Sequence, residues 1–101
     1  MKKKNYTKKN YELVKNYFIV NIDKTISGEK LKQLFGLNTI SLQGIIHDLR
    51  TEMTPIISCG KNGYKFTTNK DEIMKTYMSL TERAKSILVA ANGLKEYLEK
   101  N

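Results

Sequence analysis

Between Asn38 and Pro55 the chain places Leu42, Ile45, Ile46, Leu49 and Met53 in one sector of a helical wheel. With Leu42 turned inward and about 100° per residue, Ile40, Gln43, Gly44, His47 and Thr51 face outward and Thr39 stands at the leading edge. The chemistry such a face offers is recognition. The Gln43 amide presents a donor beside an acceptor, which matches the edge of an adenine. Thr39 and Ile40 carry methyl groups suited to a thymine methyl, and His47 reaches phosphate or base. Gly44 costs an exposed helix about 1 kcal/mol relative to Ala and lets a DNA backbone approach closely. Catalysis is a poor fit. His47 as a general base would need a nucleophile and an orienting acid, and Asp48, as the next residue, is expected to point to another side of the helix. No enzymatic activity is expected.

Phosphate is the natural counterpart of the rest of the composition. In 101 residues, 18 Lys and Arg stand against 10 Asp and Glu, a formal net charge of +8. The excess sits in the first ten residues and the middle of the chain, whereas residues 71–101 balance five bases against five acids. Lys2, Lys3 and Lys4, with Lys8 and Lys9, lie in a segment too poor in apolar residues to fold alone, so residues 1–9 read as a mobile basic arm. Lys61 and Asn62 fall at the tip of a glycine-bracketed turn, suited to a phosphate or a minor groove. Lys30 and Lys32 are candidates for backbone contact. Arg50 is poised either to hold the strand that follows it or to touch phosphate. A solvated face remains the ordinary role of any single Lys; the cluster carries more weight than its members.

Other classes are excluded by what is missing. Cys59 stands alone and His47 is the single histidine, so neither a disulfide framework nor a zinc site can be assembled within the chain, and Cys59 is expected to be a small buried apolar side chain. No metal and no cofactor are expected. Gly60–Gly63 is not a phosphate-binding loop, because no helix opens immediately after it. No apolar run approaches the roughly 20 residues that span a membrane, and residues 1–10 lack the apolar core of a signal peptide. A cytoplasmic location with no membrane partner is expected.

The elements that must position these residues follow from caps and spacing. Asn10 is the expected N-cap of a first helix whose apolar face is Leu13, Val14, Tyr17 and Phe18, ending near Asn21. Thr25 and Ile26 suit a brief extended segment before Ser27 caps a second helix with a stripe of Leu31, Leu34 and Phe35. Gly36 ends that helix and Asn38 caps the third, leaving room only for an abrupt change of direction, as in a helix-turn-helix. Pro55 stops the third helix. Residues 55–59 and 64–67 then predict a hairpin across the Gly60–Gly63 turn. Thr68 or Asn69 is placed to cap a fourth helix running to about Glu99. Its apolar residues Ile73, Tyr77, Leu80, Ala84, Ile87, Ala91, Leu94 and Leu98 recur alternately four and three apart, an unbroken heptad seam. Nothing else in so short a chain is long enough to cover that seam, which implies a homodimer. The expected fold is mainly α with a small β-hairpin: a basic arm at 1–9, a winged helix-turn-helix at 10–68 and a dimerisation helix at 69–101.

The run LNTISLQGIIHDLRTEMTPIISCGKNGYKF carries a family resemblance. It resembles the winged helix-turn-helix domains of the helix-turn-helix type 11 group, which includes the DNA-binding domain of biotin ligase repressors. Leu42, Ile46, Leu49 and Arg50 match that group's hydrophobic-x-x-x-hydrophobic-x-x-Leu-Arg pattern, and Gly63-Tyr64 matches its Gly-Tyr pair before the wing. The resemblance covers about residues 26–67 and implies binding of double-stranded DNA with the third helix as reader. Nothing downstream is similar to a ligase catalytic domain. A long helix stands in its place, a layout similar to small regulators encoded by phages and mobile elements of AT-rich bacteria. Two competitors stand beside a transcriptional regulator: a phage replication or packaging component that brings a phage or host protein machine to DNA, and a protein-interaction module that binds no DNA.

Overall fold

Thr7 opens the first helix. In the computed structural model, which describes residues 4–100, its side chain accepts a hydrogen bond from the Asn10 amide, and α1 runs Lys8–Val20. The expected cap at Asn10 and the expected boundary of a free arm at residue 9 are therefore both corrected. Lys8 and Lys9 form the first turn of α1, because Thr7 satisfies the free amides earlier than Asn10 would. Val14 and Phe18 are fully buried and Tyr11 nearly so, while Leu13 lies at the margin and is exposed.

The middle helices follow their caps. Ser27 accepts from the Lys30 amide at the start of α2, Gly28–Phe35, and Gly36 adopts the left-handed conformation (φ 61°) that ends it. Asn38 accepts from the Ser41 amide at 2.8 Å and opens α3, Thr39–Thr51. Leu31, Leu42, Ile45, Ile46 and Leu49 meet α1 in one core that Ile26 and Ile56 close from the hairpin side. Phe35 and Leu37 pack against this core, and the Phe35 ring meets Tyr17 edge-on at 5.7 Å between centroids. Leu34 points away and is 50% exposed, because an eight-residue helix buries one narrow edge. Met53 is a second correction. The backbone leaves the helix after Thr51 and turns to φ 67° at Met53, which is 90% exposed.

Strands β1, Ile56–Ser58, and β2, Tyr64–Phe66, pair antiparallel with Ile57 opposite Lys65. A single 3₁₀ turn, Gly60–Asn62, joins them. Ile26 adds an isolated bridge to β2, exchanging both backbone hydrogen bonds with Tyr64 at 2.8 and 2.9 Å. That approach is possible because residue 63 is glycine: at its φ of 114° a Cβ would lie 2.1 Å from the Ile26 carbonyl oxygen. Beneath the hairpin Thr67 is fully buried. Its hydroxyl donates to Asp23 and accepts from the Asn69 amide, which fixes the chain where β2 ends. Cys59 is half-buried rather than buried, with the Thr25 hydroxyl 3.8 Å from its sulfur.

These elements form one compact unit, ending at Asn69. The second unit is α4, Lys70–Lys100, a single helix of 31 residues that opens on Asp71 and Glu72 at the end where acidic groups are favoured. None of its residues is buried. Tyr77, Leu80, Ile87, Leu94 and Leu98 of the heptad seam are all exposed. No helix among the described residues is long and apolar enough to cross a membrane.

Candidate nucleic-acid interface

Helix α3 lies with one face in the core and one in solvent. Thr39, Ile40, Gln43, His47 and Thr51 are exposed along the outer face, and Ile40, a large apolar residue at the first turn, is 62% exposed. The Gln43 amide is exposed, and among the described residues it has no hydrogen-bond partner. Thr51 returns its hydroxyl to the His47 carbonyl at 2.9 Å, which leaves its methyl as the outward group. Lys32 of α2 bridges Glu29 at 2.7 Å and the Thr39 hydroxyl at 3.3 Å, tying the second helix to the start of the third. Lys30 is exposed.

The flank of α3 is occupied. The Tyr6 ring lies over Gly44, its edge 3.8 Å from where a Cβ would stand. Its hydroxyl donates to the Asp48 carboxylate, and the Lys4 ammonium reaches the same oxygen at 2.6 Å. Ser41 donates to the Asn5 carbonyl, Tyr6 stacks on Tyr11, and the Tyr11 hydroxyl donates to Glu52. Residues 4–7 are thus laid along the helix, and the space left by Gly44 is filled by an aromatic ring from the chain itself. Lys2 and Lys3 lie outside the described residues. Beside Tyr6 and Tyr11 opens a cleft of about 330 Å³ in which Lys4, Lys8 and Lys15 are offset by Glu12 and Glu52.

Asp48 is the hub that sequence reasoning missed. His47 Nδ1 also lies 3.0 Å from its carboxylate, contrary to the expectation that neighbouring residues diverge. Hydrogen bonds from Lys4, then Tyr6, then His47 hold the Asp48 carboxyl well below the usual carboxylate range. The Lys4 ammonium is raised chiefly by its hydrogen bond to Asp48, and burial pushes the Tyr6 phenol up. Since the carboxyl is depressed in the folded chain, the docking is complete above about pH 4 and is lost only as pH falls through the depressed value. A mid-helix glycine and a lone tyrosine within a lysine-rich segment were the signals that could have found it.

Arg50 proves committed to the fold. Its Nε donates to the Ile56 carbonyl at 2.7 Å and a terminal nitrogen to the Ser58 hydroxyl at 2.9 Å, so the last turn of α3 is fastened to β1. Lys61 and Asn62 are exposed in the 3₁₀ turn, between glycines at φ 60° and 114°. The arrangement therefore joins an exposed face of α3, a basic turn and a helix flank on which Lys4 is neutralised by Asp48.

Asp48→Asn should release Lys4 and remove an acid from this surface. If the face binds duplex DNA, the slope of log affinity against log salt should steepen by about one unit, as one more cation displaces counterions from phosphate. An unchanged slope in a salt titration would show that Lys4 stays docked without the charge.

Among the described residues no group of three His, Cys, Asp or Glu side chains is placed to hold a metal ion. Comparison with protein-family models, with curated proteins and with solved structures finds no match to this chain.

Proposed function

We propose that the protein binds double-stranded DNA sequence-specifically as a homodimer and regulates transcription in the cytoplasm. On this reading residues up to Asn69 act as a winged helix-turn-helix, with α3 in a major groove, the 61–62 turn on the backbone and α4 pairing the subunits. It has no enzymatic role. The observation that carries the proposal is the outer edge of α3, where an exposed amide at Gln43 stands between exposed methyl-bearing residues at Thr39 and Ile40 and an imidazole at His47. Ile40, 62% exposed at the leading turn, offers an apolar surface suited to a thymine methyl. The net charge of +8 supports the same partner.

Selection of bound fragments from random duplex DNA tests this. Gln43→Ala should relax the preference at one position of each half-site by about 1–3 kcal/mol of discrimination. Lys61→Ala should weaken all sequences about equally and flatten the salt slope by about one unit. Both side chains are exposed, so the melting temperature should hold within a few degrees. If Lys61→Ala altered the selected sequence and Gln43→Ala left it unchanged, the turn and not α3 would be the reader. Absence of any salt-sensitive DNA binding would overturn the proposal and favour a protein-interaction module.

A further inference from the structure

The seam of α4 is complementary to itself in one direction. Ile73, Leu80, Ile87 and Leu94 occupy one set of alternate seam positions; Tyr77, Ala84, Ala91 and Leu98 occupy the other. The two small residues are confined to the second set, and they sit in the middle of the helix.

In a parallel, in-register pair each seam residue meets its own copy. Ala84 would face Ala84 of the second copy and Ala91 would face Ala91, with the Leu80, Ile87 and Leu94 layers alternating between them. Layers of one-carbon side chains would then alternate with layers of four-carbon side chains. No single distance between two stiff helices fills both, and each Ala layer leaves an unfilled space. In an antiparallel pair the two sets meet each other. Aligning residue 73 with residue 98 of the second copy pairs Ile73 with Leu98, Tyr77 with Leu94, Leu80 with Ala91 and Ala84 with Ile87, and symmetry repeats the four. Each of the four central layers then holds one four-carbon and one one-carbon side chain. The helices approach closely and evenly through the centre, and the larger layers fall at the two ends.

Register is specified as well. Sliding the partner by one heptad either way leaves two seam residues at one end of each helix uncovered, Ile73 and Tyr77 or Leu94 and Leu98. Only the full-length alignment engages all eight positions over the roughly 45 Å of the helix. The flanking positions agree with it. Leu88 falls beside Thr81 of the second copy, and Met74 lies beside Lys95, whose stem can cover it, so exposed Leu88 and Met74 gain neighbours with no like charges opposed. The two helix dipoles also oppose each other.

We infer that α4 pairs with α4 of a second copy antiparallel, with Ala84 against Ile87 at the centre of the dimer. The inference rests on the homodimer proposed above. Its consequence for the assembly is that the N-terminal ends of the two helices, where the reading units attach, stand at opposite ends of the pair rather than side by side.

Thiol cross-linking separates the two directions. In a Cys59→Ser background, Ile73→Cys and Leu98→Cys are made as separate full-length chains, checked by sedimentation, mixed, and treated with a bismaleimide of about 8 Å reach, a little beyond disulfide range. The expected result is a cross-linked product containing one chain of each kind and none from Leu98→Cys alone, because antiparallel pairing holds the two copies of residue 98 about 38 Å apart along the axis. Self-cross-linking of Leu98→Cys would overturn the antiparallel arrangement while leaving the dimer in place. Absence of cross-links with a dimeric mass for the unsubstituted protein would overturn the register, and a monomeric mass would overturn the dimer itself. Both substituted positions are in end layers, so the six inner layers keep their side chains in every sample.

Discussion

Ile87→Asp is expected to convert the protein to monomers at micromolar concentration. Ile87 lies in the central part of the seam and is 64% exposed on the isolated helix, so the aspartate costs the monomer little. In the paired state the same group would be buried against Ala84 in two symmetric layers. Leaving a buried charge uncompensated costs about 3–5 kcal/mol, so self-association should weaken by at least about 100-fold. Light scattering reads the mass, and circular dichroism should show the helix content little changed. On the proposed function, DNA binding provides a second readout. Affinity for a fragment with two half-sites should fall by about 10²–10⁴, the loss of effective concentration when linked binding becomes separate, while affinity for a single half-site stays as it was. A variant that remained dimeric would place the pairing surface outside α4.

Gly63→Ala is expected to lower the melting temperature by roughly 10–20 °C, since a loss of about 3 kcal/mol is large for a domain of this size. The added methyl carbon would lie 2.1 Å from the Ile26 oxygen, 2.7 Å from the Ser27 Cα and 2.8 Å from the Ile26 carbonyl carbon. All three are backbone atoms, so no rotamer change relieves the overlap, and φ of 114° is itself unfavourable to any L side chain. Relief requires the two hydrogen bonds between Ile26 and Tyr64 to open, which detaches the hairpin from the strand residue that precedes α2. Gly93→Ala makes the contrast. Nothing stands within 4 Å of its would-be Cβ and the position is mid-helix, so this change should stabilise the helix by about 0.5–1 kcal/mol. Thermal unfolding followed by circular dichroism compares the two; equal melting temperatures would show that the contact at Gly63 is not tight.

The elements whose ends are set by local chemistry could be read directly. Ser27, Gly36 and Asn38 each act within four residues of their own position, and they delimit α2 and α3 as their side chains and backbone freedom require. The hairpin follows equally from Pro55 and the glycines around Lys61. What could not be read depends on partners far away in sequence. Leu13 and Leu34 have helical spacing with their buried neighbours, yet they fall at the edges of faces too narrow to include them, and only the packed arrangement defines those widths. Met53 fits the period of α3, but the helix ends at Thr51 and Met53 itself takes the left-handed conformation that turns the chain away. The docking of residues 4–7 joins Tyr6 and Lys4 to Asp48 across more than forty residues, and only the lone tyrosine among the lysines and the glycine in mid-helix hint at it. In the candidate interface, Gln43, Ile40 and His47 are exposed as their helical angle demands. Gly44 lies instead beneath Tyr6, and Arg50 is engaged by β1.

The fastening of Arg50 to Ile56 and Ser58 bears on how a duplex could be distinguished without being touched. Two hydrogen bonds from one planar guanidinium leave the end of α3 little freedom to hinge against the hairpin that carries Lys61. On the proposed function, the spacing between the groove reader and the backbone anchor is then a property of the protein, like the gap of a caliper. A duplex whose groove width departs from that gap has to be bent or compressed to fit, and the cost of doing so varies with the stiffness of its base-pair steps. Base pairs lying between the two contacts would thereby be selected by their mechanics.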